Sequence, residues 1–180
     1  APASYVPRYW YTNNPGLEGF SPKLSMQLPE PFDWDAIWDT YVETVRICAG
    51  IAEAHGLKLA IEGHAHVIVP NTDSFLRLRE HVQHPALGYN LDTAWLFIQR
   101  EYIPWSIAKL RGKLLHVHAR DGDGLHAYSL PPGEGILDWE GIFDALRGIG
   151  YDGFVSFELG GLSDAEKWVG RARAYLAEYL

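Results

Sequence analysis

Apolar positions along the chain follow two alternating rhythms. Short, mostly apolar runs of five or six residues end at Glu62, Asp92, His118 and Glu158. They read LKLAIE, LGYNLD, LLHVH and FVSFE, the length and texture of buried strands. Between them lie stretches with apolar residues at helical spacing. The first runs from a cap at Asp33 through Trp34, Ile37, Trp38, Tyr41, Val45, Cys48, Ala49 and Ala52, and Gly56 stops it. A second, capped by Thr72, carries Phe75, Leu78 and Val82 and ends before Pro85. A broken helical stretch fills 93–111, interrupted at Pro104 and stopped at Gly112. Asp138 caps a helix bearing Trp139, Ile142, Phe143 and Leu146, closed by Gly150. The last opens with the capping box Ser163-x-x-Glu166 and turns Ala165, Trp168, Val169, Ala172, Tyr175, Leu176 and Tyr179 inward.

Strands alternating with amphipathic helices predict parallel βαβ units in an α/β fold. Residues 1–32, rich in Pro, Gly, Asn and aromatics, read as a long loop segment carrying at most a strand end. Residues 33–180 read as one helix followed by four βα units, and 1–180 as a single domain. A closed (β/α)8 TIM barrel needs eight strands and about 250 residues. The expectation is therefore the C-terminal half of a barrel, with the N-terminal barrel half lying outside this sequence.

Composition narrows the function. The chain is 47% hydrophobic and 21% charged with net charge −8, so it can build a core. Its Lys and Arg are scattered, which argues against a nucleic-acid surface and for a small-molecule substrate. The single cysteine, Cys48, reads as a small buried hydrophobe in a reducing compartment. No apolar stretch suits a membrane span and no signal peptide is evident, so the expected location is cytoplasmic. A homo-oligomer is compatible with all of this.

The chemistry sits at the strand ends. Catalytic groups of parallel barrels lie at the C-terminal ends of strands. A buried carboxylate there needs a partner. Singly, Glu62, Asp92 or Glu158 can equally cap the next helix or pair with arginine, and His118 can be a core histidine. Together they would converge on one point where a divalent cation can pair with all four. Three carboxylates and one imidazole make a hard donor set, suited to Mn²⁺ or Mg²⁺, with Co²⁺ or Zn²⁺ as alternatives.

The segments LAIEGH (59–64), GYNLDTAW (88–95), LLHVHARDGDG (114–124) and GYDGFVSFELGG (150–161) resemble the xylose-isomerase-like TIM barrels. That superfamily includes sugar isomerases and epimerases, inosose dehydratase and endonuclease IV. The resemblance, over about residues 33–160, implies that Glu62, Asp92, His118 and Glu158 are metal ligands. It also implies that Glu62 and Glu158 move protons. The expected function is a divalent-metal-dependent isomerase or epimerase of a sugar or polyol derivative, working through an enediolate intermediate. A dehydratase resembling inosose dehydratase and a non-catalytic sugar-binding relative are the alternatives. Phosphodiester hydrolysis would need more histidine ligands and a basic surface. Three substrate-contact positions of the family's ketose 3-epimerases hold Ile68, Trp95 and Gly124 here, which points away from a simple ketose 3-epimerase.

Substrate contacts are expected from His64, His66, Trp95 and Arg120. His64 and His66 follow Glu62 at alternate positions, where they face the site or form a solvated loop pair. Trp95 would be an apolar wall. Arg120 would hold a substrate oxyanion or a surface carboxylate. His116 reads as core. Gly160-Gly161 can admit a phosphate to the last helix or be plain loop. Tyr5, Tyr9, Trp10 and Tyr11 can stack on a sugar or simply pack.

Overall fold

The computed structural model describes residues 8–10, 23–25, 28, 30–65, 67–125, 130–159 and 164–179. Within 1–32 the backbone forms two short strands, β1 (Arg8–Trp10) and β2 (Lys23–Ser25), paired antiparallel. The segment read as a loop therefore carries a strand pair; Tyr5 and Tyr11 lie outside the described residues.

Helix α1 (Trp34–Ala54) starts where Asp33 accepts a hydrogen bond from Ala36 N at 3.0 Å. Its buried seam is Trp38, Val42, Val45 and Ala49, narrower than the apolar stripe. Trp34 and Cys48 are exposed, against expectation, beside exposed Ile47 and Ile51. The reason is tertiary: α1 packs on strand β3 (Leu59–Glu62) and helix α2 (Thr72–Val82), and those neighbours cover one flank. Helix α2 is capped one residue earlier than expected. Asn71 accepts from Ser74 N at 2.9 Å, and Ser74 Oγ accepts from Asn71 N in return. Thr72 instead occupies the first turn, where its N–H donates to Glu101 at 2.9 Å and its hydroxyl binds the same carboxylate.

Strand β4 (Leu87–Asp92) is buried throughout and leads straight into α3 (Thr93–Ile98). The next helix, α4 (Ile103–Lys109), holds Pro104 in its first turn. The break thus falls at 99–102, and Pro104 starts the second piece rather than interrupting one helix. Strand β5 (Leu114–Ala119) follows. Asp138 caps α5 (Trp139–Ile149) through Gly141 N at 2.9 Å. Gly150 ends α5 at φ 72°, a left-handed turn where glycine carries no Cβ penalty. Strand β6 (Val155–Phe157) and helix α6 (Ala165–Leu176) complete the fold. Asp164 is the N-cap of α6 without a side-chain capping bond, and Ser163 lies outside the described residues. On α6, Ala172 and Leu176 are buried while Ala165 and Val169 are exposed.

The main sheet has four parallel strands in the order β3-β4-β5-β6, each followed by helix. It is a partial barrel of four βα units. One core joins the helices to its outer face, with Phe75, Leu78, Leu87, Leu91, Ile107 and Ile142 almost fully buried. The register is regular except at β4–β5, where Tyr89 lies opposite Leu114 but Asn90 opposite His116. That bulge adds one residue, Leu115, to β5 and sets which side chains face the barrel interior.

Candidate metal centre

Strand polarity delivers the four expected side chains to one end of the sheet. Glu62 closes β3, Asp92 closes β4, His118 is the penultimate residue of β5, and Glu158 directly follows β6. The register puts Glu62 level with Asn90, Asp92 with His118, and His118 with Ser156. Side chains level with one another on adjacent strands share a face, as do those two residues apart, so all four point the same way. One ligand-type atom from each lies within 4.8 Å of the others. His118 Nδ1 is 3.2 Å from Glu158 Oε2 and 3.6 Å from Glu62 Oε2.

The electrostatics of this cluster ask for positive charge. Burial is the largest influence raising the Glu62 carboxyl above its ordinary range, and the Asp92 and Glu158 charges push it further, while His118 and Arg120 pull it down. Asp92 is also pushed up, mainly by burial, with Arg120 and the Trp95 amide opposing. With all three carboxylates ionised, the guanidinium would leave two negative charges for a divalent cation to balance. The oxygen-rich donors and this charge both fit such an ion.

Asp92 realises both of the ordinary roles open to it. Its Oδ1 accepts from Trp95 N at 2.8 Å, capping α3, and its Oδ2 accepts from Arg120 Nε at 2.7 Å. A carboxylate oxygen has two lone pairs, so these bonds leave Asp92 able to serve as a ligand. Arg120 is buried, reaches Glu158 Oε2 at 3.7 Å, and lies over the Trp95 ring at 5.3 Å. Among the described residues, its carboxylate partners Asp92 and Glu158 belong to the cluster. The Thr93 hydroxyl holds the loop entering Arg120, accepting from Arg120 N at 2.9 Å.

Trp95 and His64 pack together with ring centroids 3.7 Å apart, beside the Asp92 end of the cluster. His66 and Gly160-Gly161 lie outside the described residues. His116 is half-buried with its ring edge-on to His118 at 5.1 Å, and burial followed by the His118 charge lowers its pKa. Gly63, just after Glu62, is required by close approach: a Cβ there would lie 2.1 Å from the Tyr89 hydroxyl and 2.8 Å from the Pro70 carbonyl.

Asn90 went unnoticed in the sequence, and Asp121, just past the His118 strand, has a structural task. Asn90 donates from Nδ2 to Glu62 Oε2 at 3.0 Å and touches the His118 ring. Its signal was a lone amide two residues before Asp92 in an otherwise apolar run. Asp121 is buried and accepts from Gly122 N, Gly133 N and Leu137 N and from Trp139 Nε1, tying down the β5–α5 loop.

Residues 17–179 match the family described as xylose isomerase-like TIM barrel. The chain belongs to that family. Fructoselysine 3-epimerase of Shigella flexneri is 27% identical over 128 residues, covering 69% of this chain and 46% of the relative. Inosose dehydratase of Salmonella typhimurium is 26% identical over 141 residues, covering 69% and 47%. Among solved structures, a D-tagatose 3-epimerase-like protein superposes with a TM-score of 0.71 at 26% identity, covering 84% of this chain and 60% of that one. The chain spans about half the length of the curated relatives it matches, in keeping with a partial barrel. Sugar isomerases, epimerases and inosose dehydratase are thus its relatives. Among the described residues no helix is long and apolar enough to cross a membrane.

Proposed function

We propose that this chain carries the catalytic metal centre of an isomerase or epimerase acting on a sugar or polyol derivative. Glu62, Asp92, His118 and Glu158 would hold the ion, with Mn²⁺ or Mg²⁺ the best match to the donors. The observation that carries the reading is the convergence of four ligand atoms within 4.8 Å on the catalytic end of a barrel sheet.

Bound there, a divalent cation supplies Lewis-acid stabilisation of the negative charge that develops on a substrate carbonyl oxygen. Glu62 and Glu158 do the proton work. Burial raises the Glu62 carboxyl in the metal-free site, and a bound cation would lower it again, keeping it in the ionised form that a general base needs. Glu158 is the more exposed of the pair and can exchange its proton with solvent. One of them removes the proton beside the carbonyl and the other returns one. Delivery to the opposite face of the same carbon gives an epimer, and delivery to the neighbouring carbon gives an isomer. Arg120 orients Asp92 and Glu158, while Trp95 and His64 form an aromatic wall for the substrate. Loss of a β-hydroxyl in place of reprotonation would make the same site a dehydratase, a second reading supported by the likeness to inosose dehydratase.

Calorimetry with Mn²⁺ and Mg²⁺ on the full-length protein, wild type against Glu158→Gln, is the direct test. One tight site weakened by the substitution is the expected result, followed by product analysis on keto-sugars and keto-inositols. Absence of specific binding by folded wild type would refute the metal-enzyme reading.

A further inference from the structure

Arg120 serves two carboxylates of the cluster. Asp92 is fixed by Arg120 Nε and Trp95 N, and Glu158 lies beside the same guanidinium at 3.7 Å. Glu62 is held differently. Among the described residues its one hydrogen bond comes from Asn90 Nδ2 at 3.0 Å. The same nitrogen lies 3.2 and 3.4 Å from the two His118 ring nitrogens, near-equal distances that make this a packing contact with the ring. The directed bond is therefore the one to Glu62.

We propose that Asn90 is a positioning residue of the centre, setting the Glu62 carboxylate against the His118 imidazole for metal binding. The inference rests on the metal-centre reading above. Three observations carry it. First, Asn90 is level with Glu62 on β3, and the extra residue on β5 brings His118 onto the face that Asn90 shares. Second, the donor is neutral. A cation here would neutralise Glu62, as Arg120 does Asp92, whereas an amide orients the carboxylate and leaves its charge for the ion. Third, Asn90 is only 8% exposed, and its Oδ1 is buried without a hydrogen-bond partner among the described residues. A buried unsatisfied acceptor costs stability, and an apolar side chain of similar shape would avoid that cost. Asn90 is thus poorly explained as a core residue and well explained by what its Nδ2 holds.

This predicts opposite movements of stability and metal binding. In the full-length protein, Asn90→Leu is expected to unfold at the same or a higher temperature without metal. Its Mn²⁺ dissociation constant should rise about 10- to 100-fold, the usual effect of losing a side chain that orients a ligand. The EPR spectrum of bound Mn²⁺ should also change, because it reports ligand geometry. If Leu does not fold by circular dichroism, Asn90→Ala carries the same test. An unchanged dissociation constant and spectrum in the folded variant would overturn the proposal and leave the metal centre standing. A wild type that binds no Mn²⁺ would instead remove the centre and the proposal together.

Discussion

Replacing Arg120 with methionine isolates the charge that the structure places beside Asp92. Arg120 is 8% and Asp92 0% exposed at their side chains, so solvent screens this pair little. Methionine keeps most of the length and apolar contact but strands the Asp92 carboxylate with only the Trp95 N–H. Removing one partner of a buried pair costs about 3–5 kcal/mol. With a urea m-value of about 2 kcal/mol/M, the metal-free midpoint should fall by about 1.5–2.5 M. Two further measurements check the cause. Saturating Mn²⁺ should return part of the loss, because the ion gives Asp92 a new counter-charge. The double variant Arg120→Met/Asp92→Leu should recover most of it, because an apolar pair has no charge to strand. A loss below about 1 kcal/mol for Arg120→Met would refute the reasoning, since Asp92 would then be neutral or hydrated without its partner.

Other consequences are equally accessible. The Glu62 carboxyl is raised above its ordinary 4.5, so the folded metal-free protein holds that proton more tightly than the unfolded chain. Stability from this group is full below pH 4.5 and is lost as pH rises through the folded value. Urea midpoints of metal-free wild type relative to Glu62→Gln should fall with rising pH, and an increase would contradict the assignment. Asp121→Ala removes the acceptor of four hydrogen bonds that organise the β5–α5 loop. It should cost about 3–5 kcal/mol by thermal unfolding, and a change under 1 would show that solvent replaces those bonds. Gly63→Ala drives a Cβ into the Tyr89 hydroxyl and Pro70 carbonyl. It should cost about 1–3 kcal/mol and weaken Mn²⁺ binding through Glu62, and normal affinity by calorimetry would show that the clash is relieved without moving Glu62.

Local signals were legible because they need only near neighbours. The caps at Asp33 and Asp138 and the glycine stop at Gly150 follow from side chains satisfying backbone groups a few residues away. The four strand ends were visible because a charge closing an apolar run interrupts its pattern. Choices between near-equivalents were not legible. Asn71 and Thr72 can both cap, and Glu101, 29 residues away, takes Thr72. Cys48 and Trp34 lie on an apolar stripe, but only the neighbours of α1 decide which part of that stripe is covered. Arg120 could bind a substrate or a carboxylate, and only the approach of β4 to β5 puts it on Asp92.

By itself, then, the order of apolar runs and periodic helices determined a parallel α/β sheet with a ligand-type side chain at each strand end. The sequence also determined that those four side chains were acidic or imidazole. Whether they could meet was a tertiary matter. Extending the Tyr89–Leu114 pairing without the bulge would set Asp92 level with Val117, turning His118 to the opposite face. The extra residue on β5 restores the match, because side chains alternate with a period of two and one residue of slip reverses every one of them.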